Sequence, residues 1–284
     1  METLSKKIDF VLFVAVNNAN PNGDPLLGNM PRTDYNGYGE ISDVCIKRKI
    51  RNRLQDMGQE IFVQASDRIE DNNKSLQERF EKNFKKESDE EVRDKSCKKW
   101  IDVRSFGQVM TFQKRSIGIR GPVSISLGKS LDPVDIVTLQ ITRSTNGMNA
   151  EAGKSRSSDT MGTKHFVDFG VYRIEGSINC YFAKKTGFSS DDAELIKNAL
   201  ISLFENDMSS ARPEGSMEVL KLYWFVHPNE LGITSSAKIY KLVISELSSE
   251  NHEKNTKRYI LKLDMERFTS YRSKGLNLTE YDGK

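Results

Sequence analysis

The chain has 284 residues, 37% of them hydrophobic, and a formal net charge of +3. That is enough apolar sequence for one substantial core with insertions, and too little net charge to mark a nucleic-acid binder by charge alone. No stretch approaches the roughly 18 to 20 uninterrupted apolar residues of a membrane-spanning helix, and Met1 is followed within a few residues by a strand-like run instead of a secretory leader, so a cytoplasmic protein with no membrane partner is expected.

Residues 9–17 (DFVLFVAVN) form a nearly continuous apolar run, the pattern of a central strand covered on both faces. The NPNGDP cluster that follows can neither extend a strand nor open a helix, so residues 18–39 read as one long polar, glycine-rich loop. Ser42 or Asp43 then caps a helix reaching about Met57, with Gly58 as its stop. Ile46, Ile50, Leu54 and Met57 form its apolar stripe, Lys47, Arg48 and Arg51 fan over one flank, and Lys49 and Arg53 over the other. A solvated helix normally interleaves acids among such cations, and residues 44–55 contain none.

Residues 64–99 are dense in both charge signs, with Leu76, Phe80 and Phe84 at helical spacing, and read as an inserted helical excursion, partly mobile and outside the core. Residues 100–112 return to core-like sequence, and a strand is expected at about 119–127, broken by Gly121-Pro122. Residues 134–142 alternate, and 143–164 are small, polar and basic, which suggests a projecting hairpin whose tip is ordered by a partner. A long strand is expected over 166–184, then a helix over 190–206 capped by Ser190 or Asp191, with Ile196, Leu200, Leu203 and Phe204 on its buried face. Residues 217–226 (MEVLKLYWFV) form a strong strand stopped by His227-Pro228, and 237–246 and 258–264 add shorter strands. The large elements run βαββαβ, the ferredoxin-like order of an α+β fold that also hosts RNA-recognition modules.

Several motifs fail on inspection. Gly128-Lys129-Ser130 and Gly153-Lys154-Ser155 resemble the end of a phosphate-binding loop, but Val123 and Met148 occupy the places of its leading glycine. Cys45, Cys97 and Cys180 form no CxxC pair, and His165, His227 and His252 lie too far apart in sequence for a metal-ligand motif, so neither a disulfide framework, a metal nor a cofactor is implied. Asp24 and Asp43 are explained by turn and cap chemistry, and His165 alone supplies half of an acid–base pair. What remains is the acid-free helix, the Asn- and Gly-rich loop feeding it, and the basic flap. Together they fit a groove that neutralises the phosphates of single-stranded RNA, with apolar groups such as Met161 wedged against bases.

Five short segments carry a resemblance: 17–25 (NNANPNGDP), 28–32 (GNMPR), 43–51 (DVCIKRKIR), 119–126 (IRGPVSIS) and 162–165 (GTKH). In this order they are similar to the Cas-seven family of type I-C CRISPR systems. The resemblance implies a single hand-like domain over 1–284: a modified RNA-recognition palm, a finger-like helical insertion at 59–100 and a thumb-like hairpin at 130–165. It implies that copies stack head to tail on a CRISPR RNA and hold it for pairing with target DNA, beside other Cascade subunits and a recruited nuclease-helicase that does the cutting. On this chain the implied RNA contacts are Asn20 and Arg32 in the loop, and Ser42, Lys47, Arg48 and Arg51 on the helix. Arg120 and Arg143 follow, with Met161, Thr163 and Lys164 where thumb meets palm; Met161 would displace a base. Related backbone subunits cut RNA with a loop acid, so a metal-dependent endoribonuclease using Asp24 or Asp34 is the alternative to a non-catalytic role.

Overall fold

The computed structural model describes residues 2–142, 161–248 and 259–284. β1 (Ile8–Ala19) is buried on both faces: Phe10, Leu12, Val14 and Val16 enter one core, and Val11, Phe13 and Ala15 enter another on the opposite side. The segment expected as unbroken loop contains the small hairpin of β2 (Gly23–Asp24) and β3 (Met30–Pro31), then β4 (Tyr38–Ile41). Gly28 and Asn29 turn this hairpin in left-handed conformations, φ 61° and 63°, that glycine and asparagine tolerate best. α1 (Asp43–Asp56) follows, capped by Ser42, with Ile46, Ile50 and Leu54 buried as the periodicity required.

Next come α2 (Leu76–Asn83), α3 (Asp89–Lys99), α4 (Ile101–Phe106) and the hairpin of β5 (Gly107–Met110) with β6 (Ile117–Arg120). The helical excursion stands outside the cores of the main sheet, as expected, but it is not without a core. Phe62, Phe80, Phe84, Val92, Trp100, Val103, Met110 and Ile117 make a core of their own, with Trp100 4.7 Å from Phe62 and 5.7 Å from Phe84 between ring centroids. The region is poor in apolar groups only when read without residues 100–117, which close over it.

The strand expected at 119–127 is two strands in different sheets, because Pro122 cannot donate to a ladder. β6 stays with β5, and β7 (Val123–Ile125) joins the main sheet. β8 (Gly128–Pro133) and β9 (Ile136–Thr142) lead to β10 (Met161–Ile178), which begins and ends earlier than expected. Its end is set by Asn179, whose side chain accepts from the Tyr181 and Phe182 amides to cap α5 (Cys180–Thr186). α6 (Ser190–Ile201) is capped by neither Ser190 nor Asp191. Ser189 and Asp192 cap it reciprocally. β11 (Met217–Val226) matches its expected span. Beyond it, the expected strand at 237–246 divides into α7 (Ser236–Tyr240) and β12 (Val243–Leu247); the latter pairs with β13 (Tyr259–Leu263), and α8 (Met265–Arg272) and β14 (Asn277–Asp282) follow.

The main sheet is antiparallel in the order β14-β11-β1-β10-β8-β4, with β7 and β9 also on β10. α1, α5 and α6 cover one face, and α7, β12, β13 and α8 the other, so the central strands are shielded on both sides. Among the described residues no helix is long and apolar enough to cross a membrane.

Candidate nucleic-acid interface

The site is organised by the point where β1 ends. Ala19 pairs with Val167, and beyond that pair β10 continues from Val167 back to Met161 against β9 alone, as a two-stranded arm. Met161 is 64% exposed on this arm and its sulfur accepts from the Gln140 amide; Thr163 is exposed and Lys164 half-buried beside it. Arg143 and the rest of residues 143–160 lie outside the described residues.

The loop after β1 is latched to the start of α1. Asn22 Oδ1 accepts from both the Ser42 amide (2.9 Å) and the Ser42 hydroxyl (2.8 Å), and Ser42 Oγ in turn accepts from the Cys45 amide. Asn20 is buried and donates from Nδ2 to the Asn29 carbonyl at 2.7 Å. The Arg32 amide donates to the Asn22 carbonyl, and its guanidinium lies 3.4 Å from Asp24. Asn20, Arg32, Ser42 and the first turn of α1 are therefore one assembly, with β3 packed on β10 beside the base of the arm. Asn22 is the residue that joins them, and sequence reasoning did not single it out. Its only signal was its place in the turn cluster.

The cations of α1 divide sharply. Among the described residues Lys47 meets only Asp43, one turn back and the more exposed of the two, at 3.0 Å. Arg48 donates to the Val63 carbonyl at 2.6 Å. Arg51 bonds through Nε to Asp102 at 3.0 Å and lies over the Phe106 ring; Asp102 also accepts from the Phe62 and Val63 amides. On the opposite flank Lys49 pairs with Asp207 and Arg53 with Glu205. The absence of acids from residues 44–55 thus has a second cause: the counter-charges come from distant segments. Arg48 and Arg51 still present terminal guanidinium nitrogens beyond these bonds, so a role toward phosphate is compatible with the anchoring.

Arg120 stands apart from the Asn22 latch but near the other end of α1: it pairs with Gly107, next to Phe106, whose ring lies under Arg51. The Arg120 guanidinium sits 4.3 Å over the Phe182 ring, and it lies two residues before Pro122, whose carbonyl accepts from the Asn179 amide at the far end of β10.

The acids weighed for cleavage are all engaged. Asp24 caps the turn at Leu26, and Asp43 pairs with Lys47. Asp34 accepts from the Asn36 and Tyr38 amides and from Lys129 at 2.6 Å, and the Lys129 ammonium holds its carboxyl below the ordinary range. His227 is buried against Asp9 at 2.8 Å, His165 meets Thr138, and His252 lies outside the described residues. Among the described residues no three metal-ligating side chains converge.

Comparison with known proteins gives these residues a context. The family model described as CRISPR-associated protein Cas7 matches residues 6–265. A protein of Haloferax volcanii, described as CRISPR-associated protein Cas7, is 24% identical over 231 residues, covering 74% of this chain and 67% of that protein. A chain of a solved structure titled CRISPR RNA-guided surveillance complex, pre-nicking, superposes with a TM-score of 0.53 at 12% identity, over 87% of this chain and 84% of that one. A chain of a second, titled CRISPR RNA-guided surveillance complex, superposes with a TM-score of 0.50 at 12% identity, over 96% and 87%. At such identity the superpositions speak for the fold: a mixed α and β chain built on a large antiparallel sheet.

Proposed function

This chain belongs to the family of CRISPR-associated protein Cas7, and from that premise we propose that it is the non-catalytic backbone subunit of a type I-C surveillance complex, binding CRISPR RNA along its phosphates. The observation that carries the proposal is the Asn22 latch. It sets Asn20, Arg32, Ser42 and Lys47 beside the base of the β9–β10 arm, a polar and basic surface of the kind that tracks a single strand. Arg48 and Arg51 extend it along α1, and Met161, Thr163 and Lys164 along the arm.

In this reading the palm is RRM-like. The sheet order β11-β1-β10-β7, with α1 and α6 on one face, supports it. The lobe beginning at 59 is the finger, and 130–165 the thumb. Copies stack head to tail, and Arg120, beside the Phe106 ring that carries Arg51, extends the same basic surface. Guide pairing then selects target DNA, and cutting belongs to a nuclease-helicase recruited to the assembly with the other subunits in the cytoplasm.

The test uses labelled CRISPR RNA and pure protein with magnesium or manganese. The RNA is expected to remain intact and to appear in images as a row of subunits. Specific cutting abolished by Asp34→Ala would overturn the non-catalytic reading in favour of an endoribonuclease.

A further inference from the structure

The loop between α6 and β11, residues 207–216, plays no part in the sequence argument, yet it lies directly on the end of β1. The Asn17 amide donates to the Ser216 carbonyl at 2.8 Å and the Asn20 amide to the Ala211 carbonyl at 2.9 Å. Within the loop, Ser209 and Arg212 exchange backbone hydrogen bonds of 2.9 and 3.0 Å, which pins the Arg212 backbone next to Asn20.

The loop carries two acids, Asp207 and Glu214, and among the described residues only Asp207 is paired. Asp207 Oδ2 is shared between Lys49, which is buried, and Arg212, whose Nε lies 3.2 Å away. One carboxylate therefore serves two cations. Arg212 is the more exposed of the two, and among the described residues its terminal guanidinium nitrogens have no partner. Arg32, reached through Asn22, is similarly incomplete: its Nε is buried without a hydrogen-bond partner, and its contact with Asp24 is a loose 3.4 Å. Asn20, 3% exposed between the two arginines, also holds an unpartnered carboxamide oxygen. Cys45, in the first turn of α1, marks their proximity: burial pushes its thiol pKa up, while Lys49, Arg212 and Arg32 all oppose that rise.

We propose that Arg212 and Arg32, from two loops joined through Asn20, clamp the same backbone phosphate of the guide, so that residues 207–216 form a second wall of the groove. Two planar guanidinium forks matched to one phosphate give bidentate contacts that a point charge does not. The phosphate supplies a further anion beside the shared Asp207, and acceptors for the terminal guanidinium nitrogens of the two arginines; Arg32 Nε, which is buried, takes no part. This inference rests on the guide-binding reading and adds a residue and a geometry to it.

The experiment uses the full chain with short oligoribonucleotides in which one phosphate at a time is replaced by an uncharged methylphosphonate. On unmodified RNA, Arg212→Gln and Arg32→Gln are each expected to weaken binding about tenfold or more, the worth of a hydrogen bond to a charged group. One modified position is expected at which wild type and both variants bind alike, because the phosphate they share is gone. The double variant is expected to flatten the log–log salt slope by about 0.7, the value for one phosphate, and not by about 1.4. Arg212→Gln binding every oligomer as wild type does, or the two variants losing their effect at different positions, overturns the clamp. If Lys47→Ala still weakens binding in that case, the guide-binding reading stands without it; if wild type binds none of the RNAs, that reading fails and takes the clamp with it. A lowered melting temperature in Arg212→Gln does not mimic the expected result, since a merely structural defect weakens binding equally at every modified position.

Discussion

Arg51 and Lys47 lie one turn apart on α1, and the two are held in opposite ways. Arg51 reaches a carboxylate 51 residues away that is 1% exposed and also ties down two backbone amides. Among the described residues Lys47 reaches only Asp43, on its own helix and the more exposed of the two. Breaking a buried pair strands an uncompensated charge, whereas a surface i,i+4 pair contributes a few tenths of a kcal/mol and exchanges readily for another anion. The contrast teaches that a cation-rich helix need not be a uniform binding face. Toward its C-terminal end α1 uses positive charge to tie itself to the lobe around Phe62 and Trp100 and to the 202–207 segment. At its N-terminal turn it keeps charge exchangeable.

The largest effect that would break this comparison is expected at Asp102. Asp102→Ala removes the partner of Arg51 and the acceptor of the Phe62 and Val63 amides, and should cost about 3–5 kcal/mol in urea unfolding; a loss below about 1 kcal/mol would show that the junction does not depend on it. Ser42→Ala comes next, at about 1 kcal/mol, because it removes a helix cap that also receives the Asn22 latch. An unchanged midpoint would show that neither the cap nor the Ser42 hydroxyl's bond to Asn22 adds measurably to stability. Lys47→Ala sharpens the comparison from the other side. Its stability should stay within about 0.5 kcal/mol of wild type, while the salt slope of RNA binding falls by about 0.7. An unaltered slope would remove the N-terminal turn of α1 from the interface.

Much of the scaffold was legible because its signals are local. β1 announced a doubly covered strand by its unbroken apolar run, and β11 lies within its expected limits because His227-Pro228 stops it. The stripe of α1 follows from 3.6-residue periodicity. Elements that depend on competition between local signals were less legible. Cys180, Tyr181 and Phe182 continue the apolar run of β10, and only the Asn179 cap turns them into α5. The core of the lobe draws on residues from 62 to 117, so no single window contains it.

The sequence by itself determined where the cations, caps and apolar periods lie, since those are properties of neighbours along the chain. It also determined which short segments place the chain beside the Cas7 family. Only the tertiary structure decided which cations are already paired. Asp102 and Asp207 stand 51 and 158 residues from the side chains they neutralise, and an ion pair follows distance in space, which sequence separation does not set. For the same reason Asn22 and Arg212 come near each other only once folding brings together the end of β1, the segment before β11 and the loop before α1.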